Sequence, residues 1–373
     1  MRGTADKQAM MLSVVTPDQL VPQGHPIRQI KPIVDRALAE LSPTFGAMYA
    51  EVGRPSIPPE HLLKGCLLIA LYSIRSERQF CERLQYDLLF KWFLDLNIMD
   101  PAFDASTFSK NKSRLLEHQV AQQFFGAVLA EARLRHLLSA EHFTVDGTLL
   151  EAWASLKSFR PKDSGGESPA KNEKNPNVDF RGEHRVNATH ASTTDPEARL
   201  ARKGPGKEAK LCFAGHVLME NRTGLVVDVA VTQATGRAER EAALEMLDRL
   251  PGRRRATVGA DKNYDTAAFV AECREMNITP HVARRVWSNL DRRSTRHPGY
   301  RLSQRVRQRV EEIFGWIKTV GGGRKLRYTG VDRNQLWARM TATAYNLVRM
   351  AKLALAASAL PAVKGAVEPL ITI

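Results

Sequence analysis

Three acidic positions in this sequence could act together: Asp146, Asp261 and a glutamate at 311 or 312. Each aspartate follows a short run that reads as a strand, Phe143-Thr144-Val145 and Ala256-Thr257-Val258-Gly259-Ala260. Strand ends in an α/β sheet are where functional side chains emerge from a rigid scaffold. Carboxylates that converge there from separate elements can hold two divalent metal ions roughly 4 Å apart, one activating the attacking oxygen of a phosphoryl transfer and one stabilising the leaving oxygen. Mg²⁺ suits that work because it takes few carboxylates and keeps positions for water and phosphate oxygens, and Mn²⁺ shares its preference for oxygen ligands. Each residue also has a structural reading. Asp146-Gly147 is a common hairpin-turn dipeptide, Asp261 could cap a following helix, and a glutamate among arginines can be a solvated ion pair.

The helix expected over Ser303 to Lys318 separates the two glutamates. At about 100° per residue, Val306, Val310, Ile313 and Ile317 form one apolar stripe. Arg307, Glu311 and Lys318 fall together at the edge of that stripe, whereas Glu312 points away toward solvent. Glu311 is therefore the glutamate expected in a site, with Arg307 and Lys318 flanking it to meet phosphate oxygens. An i,i+4 pair of Arg307 with Glu311 bordering the core is the other reading.

The elements that must position these residues form an α/β body. Strands are expected at 211–219, 225–232, 256–260 and 278–282, and helices at 238–250, 267–276, 303–318 and 335–360. Strands that precede and interleave with helices indicate a mixed α+β sheet covered by helices. Between the first strand and the rest lies a polar insertion, residues 160–210, with only Val178, Phe180, Val186 and Leu200 as large apolar residues, and it reads as a long loop without a core of its own. Residues 1–140 read as a separate all-helical unit, with helices at 58–75, 76–84, 87–96, from about 106, and at 119–138. Ser76 followed by Gln79 is a capping-box start. Short helices joined by tight turns can form a helix-turn-helix, and the segment TFSKNKSRLL would then offer Lys110, Asn111, Lys112 and Arg114 to a groove; a plain helical bundle is the alternative. The catalytic body would then occupy residues 141–355 and a tail 356–373.

Charge narrows the partner. The chain of 373 residues carries 55 Lys+Arg against 40 Asp+Glu, a net of +15. Residues 1–140 hold 16 basic and 14 acidic residues, while 284–327 alone hold 13 basic and 3 acidic. The excess is thus a patch around Arg307, Glu311 and Lys318, as expected for a polyanionic partner, either nucleic acid or an anionic membrane surface. The four cysteines show no CxxC spacing and read as reduced thiols of a cytoplasmic protein. No signal peptide is expected at the N-terminus, and Arg349, Lys352 and Pro361 interrupt the most apolar late stretch, which excludes a membrane span there.

Other residues compete for chemistry. His184, His190, Cys212 and His216 are zinc-ligand types, but the spacing fits no compact finger. Trp153, Trp287, Trp316 and Trp337 could stack on bases, and Trp287, inside the basic loop 284–296, is the best placed. Asp228 reads as a strand residue, and Asp265 is the alternative to Asp261.

Taken in order, these segments resemble the DDE transposases of bacterial insertion sequences, in the large group named after insertion sequences four and five, and within it the insertion-sequence-five-like members. FTVDGTLLEAWAS resembles the first-aspartate strand, GADKNYD the second-aspartate turn, and RQRVEEIFGWIK the pattern R-x₃-E-x₆-K through Arg307, Glu311 and Lys318. HASTTDPEARLARKG, GHVLMENRTGLVVDVAVTQATGRAER and FDASTFSKNKSRLL are also similar, so the likeness covers most of residues 40–355. Where the family often has tyrosine three residues before the arginine, this chain has Gln304. The resemblance implies an RNase H-like catalytic domain and binding to terminal inverted repeats of double-stranded DNA, with the protein a homodimer in that complex. It further implies Mg²⁺-dependent cleavage at the element ends and joining of the freed 3′-hydroxyls to target DNA. Asp146, Asp261 and Glu311 would be the catalytic metal ligands, and the protein would be cytoplasmic and nucleoid-associated. A DNA-binding protein without nuclease activity, from a decayed element, is the alternative.

Overall fold

The computed structural model describes residues 15–49, 56–162, 185–204, 206–251 and 255–359. The first half is helical: α1 (Pro17–Leu20), α2 (Ile27–Glu40), α3 (Ser42–Ala47), α4 (Pro59–Leu71), α5 (Glu77–Tyr86), α6 (Leu88–Phe93), α7 (Ala105–Glu117) and α8 (Val120–Leu134). Polar caps set several of these starts. Ser76 Oγ accepts from the Gln79 N–H, Asp87 from the Phe90 N–H and Asp104 from the Thr107 N–H, each supplying a partner that the first helical turn lacks. The helices expected from the sequence recur as α4 to α8. They are joined by α1 to α3, where Pro32 inside α2 interrupts the usual helix signal.

Strand β1 (His142–Glu151) opens the second half. It runs straight through Asp146-Gly147, so this dipeptide is not a turn, and pairs along nine residues with β5 (Lys210–Glu220). A turn of the chain then leads from β5 to β6 (Val226–Gln233), antiparallel to it. On the other side of β1, β7 (Ala256–Ala260) and β8 (Ile278–Val282) are parallel to it and to each other. The order β6-β5-β1-β7-β8, three antiparallel strands followed by two parallel ones, is that of an RNase H-like sheet. The mixed sheet expected from the sequence is therefore present.

Two helical layers cover this sheet. Val145, Phe143 and Leu218 pack with Ala243, Met246 and Leu247 of α9 (Ala238–Asp248) and with Phe269, Val270 and Cys273 of α10 (Ala267–Glu275). On the opposite face, Leu150, Val217 and Val229 pack with Val310, Ile313, Phe314 and Ile317 of α13 (Val310–Thr319) and with Ala338, Ala342 and Tyr345 of α14 (Val331–Ala359). Alternation along β1 sends its odd-numbered residues to α9 and its even-numbered ones to α13. Helix α14 also supplies Leu336, Met340, Ala344, Leu347 and Met350 to the core of the helical half, so the two halves share this helix.

Edge strand β6 is closed by side chains of α14. Fully buried Asn346 accepts from Val226 N and donates to Val226 O, both at 2.8 Å, and Gln335 does the same for Val231 N and Val229 O. These amides replace the missing neighbouring strand.

Two expectations change. The described part of the polar insertion is not a plain loop. It contains β3 (His190–Ser192), paired with β2 (Phe159–Pro161), and β4 (Arg199–Ala201), which extends the sheet along β5. Backbone pairing, which hydropathy does not register, holds it; residues 163–184, with Val178, Phe180 and His184, lie outside the described residues. The basic stretch before Glu311 is also more broken than one helix. Helices α11 (Arg292–Arg296) and α12 (Pro298–Val306) precede a 3₁₀ turn at Arg307–Arg309, and only then does α13 begin. Among the described residues, no helix is long and apolar enough to cross a membrane.

Candidate active site

The two aspartates come together through strand register. Pairing of β1 with β7 runs His142↔Thr257, Phe143↔Val258 and Thr144↔Gly259, then stops. Continued by two residues, the same register sets Asp146 beside Asp261, at the point where the strands part. Asp261 Oδ1 accepts from the Asn263 N–H at 2.7 Å, so Asp261 is both a cap and a neighbour of Asp146. Burial pushes the Asp146 carboxyl up to about 6, and the charges of Asp261 and Glu239 push in the same direction against a hydrogen bond from the Gly147 N–H and the charge of Arg307.

Glu239 was not singled out by sequence reasoning. It stands in the first turn of α9, and a Cβ added to Gly147 would lie 3.0 Å from its Cγ and 3.2 Å from its Oε1. Gly147 therefore makes room for this side chain. Glu239 is itself raised by burial and by Asp261. The available signal was RAERE three residues after a strand, a carboxylate on the first turn of a sheet-facing helix.

Tyr264, three residues after Asp261, is fully buried and packs edge-on against Phe269 at 5.2 Å. Its hydroxyl has no hydrogen-bond partner among the described residues. Burial raises this phenol well above its ordinary range, and the charges of Glu239, Asp146 and Asp261 add to that against Arg240.

On the other face, the apolar stripe of the late helix is buried as expected, with Phe314 added and Val306 only partly covered. Glu311 is exposed on the first turn of α13 and forms no ion pair with Arg307. It is not among the charges acting most strongly on Asp146, whereas Arg307 is. Glu312, expected to point to solvent, pairs with Arg349 at 3.1 Å. Lys318 Nζ donates to Thr148 Oγ1 at 2.6 Å, which fixes α13 over β1 two residues beyond Asp146. Burial lowers the Lys318 ammonium, with Lys203 adding to the effect. Gln304 is occupied: its amide donates to His281 O.

Asp265 is separated from this centre by its bonding. Buried at 1% exposure, it accepts the backbone N–H of Arg285 at 3.0 Å and of Asn289 at 2.9 Å. It thereby pins both ends of the loop that presents Val286 and Trp287, at 91% and 89% exposure. Trp316 instead packs on Tyr345, and Trp337 donates to Gly321 O. Asp228 pairs with Arg249 at 2.9 Å.

In the helical half, Lys110 and Arg114 are exposed, Arg114 lying 5.4 Å from the Tyr49 ring. Two other groove candidates are corrected. Asn111 is buried between Thr107 O and Ser56 Oγ, and the Lys112 ammonium is enclosed by Glu77 and Tyr328 Oη. Burial of apolar neighbours on the same helix face draws both inward. Among the described zinc candidates, His190 stacks on Phe159 and His216 Nε2 bonds Thr232 Oγ1, and no metal-holding cluster forms; His184 lies outside the described residues.

Among the described residues, no three His, Cys, Asp or Glu side chains are already arranged around a metal position. The residues nevertheless suit a hard divalent cation. Asp146, Asp261 and Glu239 are oxygen donors that repel one another, and a buried hydroxyl beside them lacks a partner.

Residues 15–114 match the family described as Transposase domain (DUF772), and residues 185–347 match Transposase DDE domain. The chain is similar to the piggyBac transposase in its synaptic complex with hairpin DNA, at 9% identity over 89% of this chain and 76% of that chain, with TM-score 0.42. It is also similar to the Mos1 transposase in its paired-end complex with left transposon end, at 11% identity over 83% of this chain and 81% of that chain, with TM-score 0.24. The first family match lies on the helical half and the second includes Asp261 and Glu311; Asp146 falls between them. The chain belongs to the DDE transposases of insertion sequences.

Proposed function

We propose that this transposase, of the insertion-sequence-five-like group, binds the terminal inverted repeats of its element, cleaves DNA at the element ends and joins the 3′ ends to target DNA. The register that sets Asp146 beside Asp261 carries this reading, because two half-buried carboxylates that repel each other at one point of a rigid sheet are a costly arrangement without a cation to neutralise them. Asp146, Asp261 and Glu311 would hold Mg²⁺ ions, with Mn²⁺ as a substitute. Those ions, when bound, activate the attacking oxygen and stabilise the leaving one.

The chain's own residues bind and orient the DNA. Arg307 and Lys318 border the acidic centre and meet phosphate oxygens, as charge-assisted donors do. Trp287, presented by the loop that Asp265 holds, stacks on an exposed base. Lys110 and Arg114 contact the backbone from the helical unit 1–140, which reads the repeats, while 141–355 performs the chemistry and 356–373 forms a tail. Two copies of the chain act in the DNA complex.

Asp261→Asn tests the function. The variant should bind inverted-repeat DNA like the wild type and lose Mg²⁺-dependent strand cleavage. A wild type that binds the repeats but never nicks them would leave the second reading, a DNA-binding protein from a decayed element.

A further inference from the structure

The centre is acidic on a side that the Asp-Asp-Glu assignment does not use. Asp146 and Thr148 lie on the α13 face of β1, and Thr148 meets Lys318 there. Gly147 lies on the α9 face, directly beneath Glu239. Pairing of β1 with β7 ends at Thr144, so from Val145 onward the sheet continues through β5 but is open on the β7 side. Glu239 belongs to the α9 layer and Glu311 to the α13 layer.

A carboxylate near two aspartates is not in itself a site. The independent observation is Tyr264. Its hydroxyl is enclosed, bonds no described residue, and lies within reach of the charges of Glu239, Asp146 and Asp261, with Arg240 opposing them. A buried hydroxyl without a partner costs free energy, so in the working protein its hydrogen has an acceptor. Glu239 likewise forms no ion pair or hydrogen bond with any described residue, although Arg240 follows it directly. The glycine beneath it keeps that carboxylate close to the strand instead of letting it turn outward.

We infer that Glu239 is a fourth carboxylate of the metal centre, closing it from the α9 side, and that Tyr264 Oη is a positioning group that donates a hydrogen bond to an oxygen bound there. Asp146, Asp261, Glu311 and Glu239 would then together supply the carboxylates that hold the cations. The inference rests on the transposase reading of this centre, yet it concerns a residue outside the Asp-Asp-Glu set.

Metal affinity tests it without reference to turnover. Mn²⁺ binding to the full chain, with and without inverted-repeat DNA, is followed by calorimetry for the wild type, Asp146→Asn, Glu239→Gln and Tyr264→Phe. Glu239→Gln should weaken Mn²⁺ at least about tenfold and Tyr264→Phe less, the scale on which altered ligand shells act. Melting without metal guards against misfolding: Glu239→Gln removes a repelling charge, so it should melt no lower than the wild type and lose part of the rise in Tm that Mn²⁺ produces. If Glu239→Gln binds Mn²⁺ like the wild type while Asp146→Asn does not, Glu239 is outside the centre and the nuclease reading stands. If the wild type binds no Mn²⁺ under either condition, the nuclease reading fails and this inference with it.

Discussion

Lys318 Nζ donates to Thr148 Oγ1 at 2.6 Å, joining the helix that carries Glu311 to the strand that carries Asp146. The bond does two things for the site. It fixes the height of α13 over β1, and it holds a cation two residues from the first aspartate. Thr148→Val should therefore cost about 1–2 kcal/mol in urea unfolding, the value of a partly covered hydrogen bond to a charged group. Lys318→Ala should in addition reduce the salt dependence of DNA binding by about one phosphate contact. An unchanged salt slope would place Lys318 outside the DNA path.

The two adjacent glutamates should separate cleanly. Glu311 is exposed and forms no ion pair with a described residue, whereas Glu312 is held by Arg349 at 3.1 Å on the protein surface. Glu311→Gln is expected to abolish strand cleavage while leaving the melting temperature unchanged. Glu312→Gln should keep cleavage near wild type and lose less than about 1 kcal/mol of stability. Equal loss of cleavage in both variants would overturn the facial assignment.

Stability should depend on pH through Asp146. Its carboxyl sits at about 6, above the ordinary 3.8, chiefly because it is buried. Between those values the native state binds a proton that the unfolded chain has released, so stability falls as pH rises through this window and the penalty is complete above it. Asparagine stays neutral throughout. In metal-free buffer, Asp146→Asn should therefore be more stable than the wild type at neutral pH, by on the order of 2–3 kcal/mol. The gain should vanish below the ordinary carboxylate range. Denaturant midpoints at the two pH values decide it; a gain that is the same at both would have another cause.

Asp265 and Trp287 divide support from contact. Asp265→Ala leaves the Arg285 and Asn289 amides without their acceptor, which should cost about 2–3 kcal/mol and speed hydrogen exchange in residues 284–290. Trp287→Ala, at a side chain 89% exposed, should leave stability alone and weaken binding to DNA with an unpaired end by about 1–3 kcal/mol, the value of one stacked base. Loss of affinity without any change in loop exchange would mark Trp287 as the contact and Asp265 as its support.

The sequence by itself determined a good deal. Strands β7 and β8 stand where their apolar runs place them, because a short β-branched run between polar turns allows one pairing face and little else. The heptad-like stripe Val310, Ile313, Ile317 put Glu311 and Lys318 on a common edge, since helical period alone fixes angular position. The concentration of positive charge in 284–327 needed only counting. Tertiary structure decided what period cannot encode. Whether Asp146-Gly147 turns or continues depends on β5, which pairs through it. That Asp146 adjoins Asp261 depends on a register between strands more than a hundred residues apart. Glu239 reached the centre because α9 crosses Gly147, and Lys112 left the list of DNA contacts because Glu77 and Tyr328 enclose it. Local pattern specifies an element and the face it buries; which side chains then meet is set by long-range packing, and a site assembled from four elements is that kind of fact.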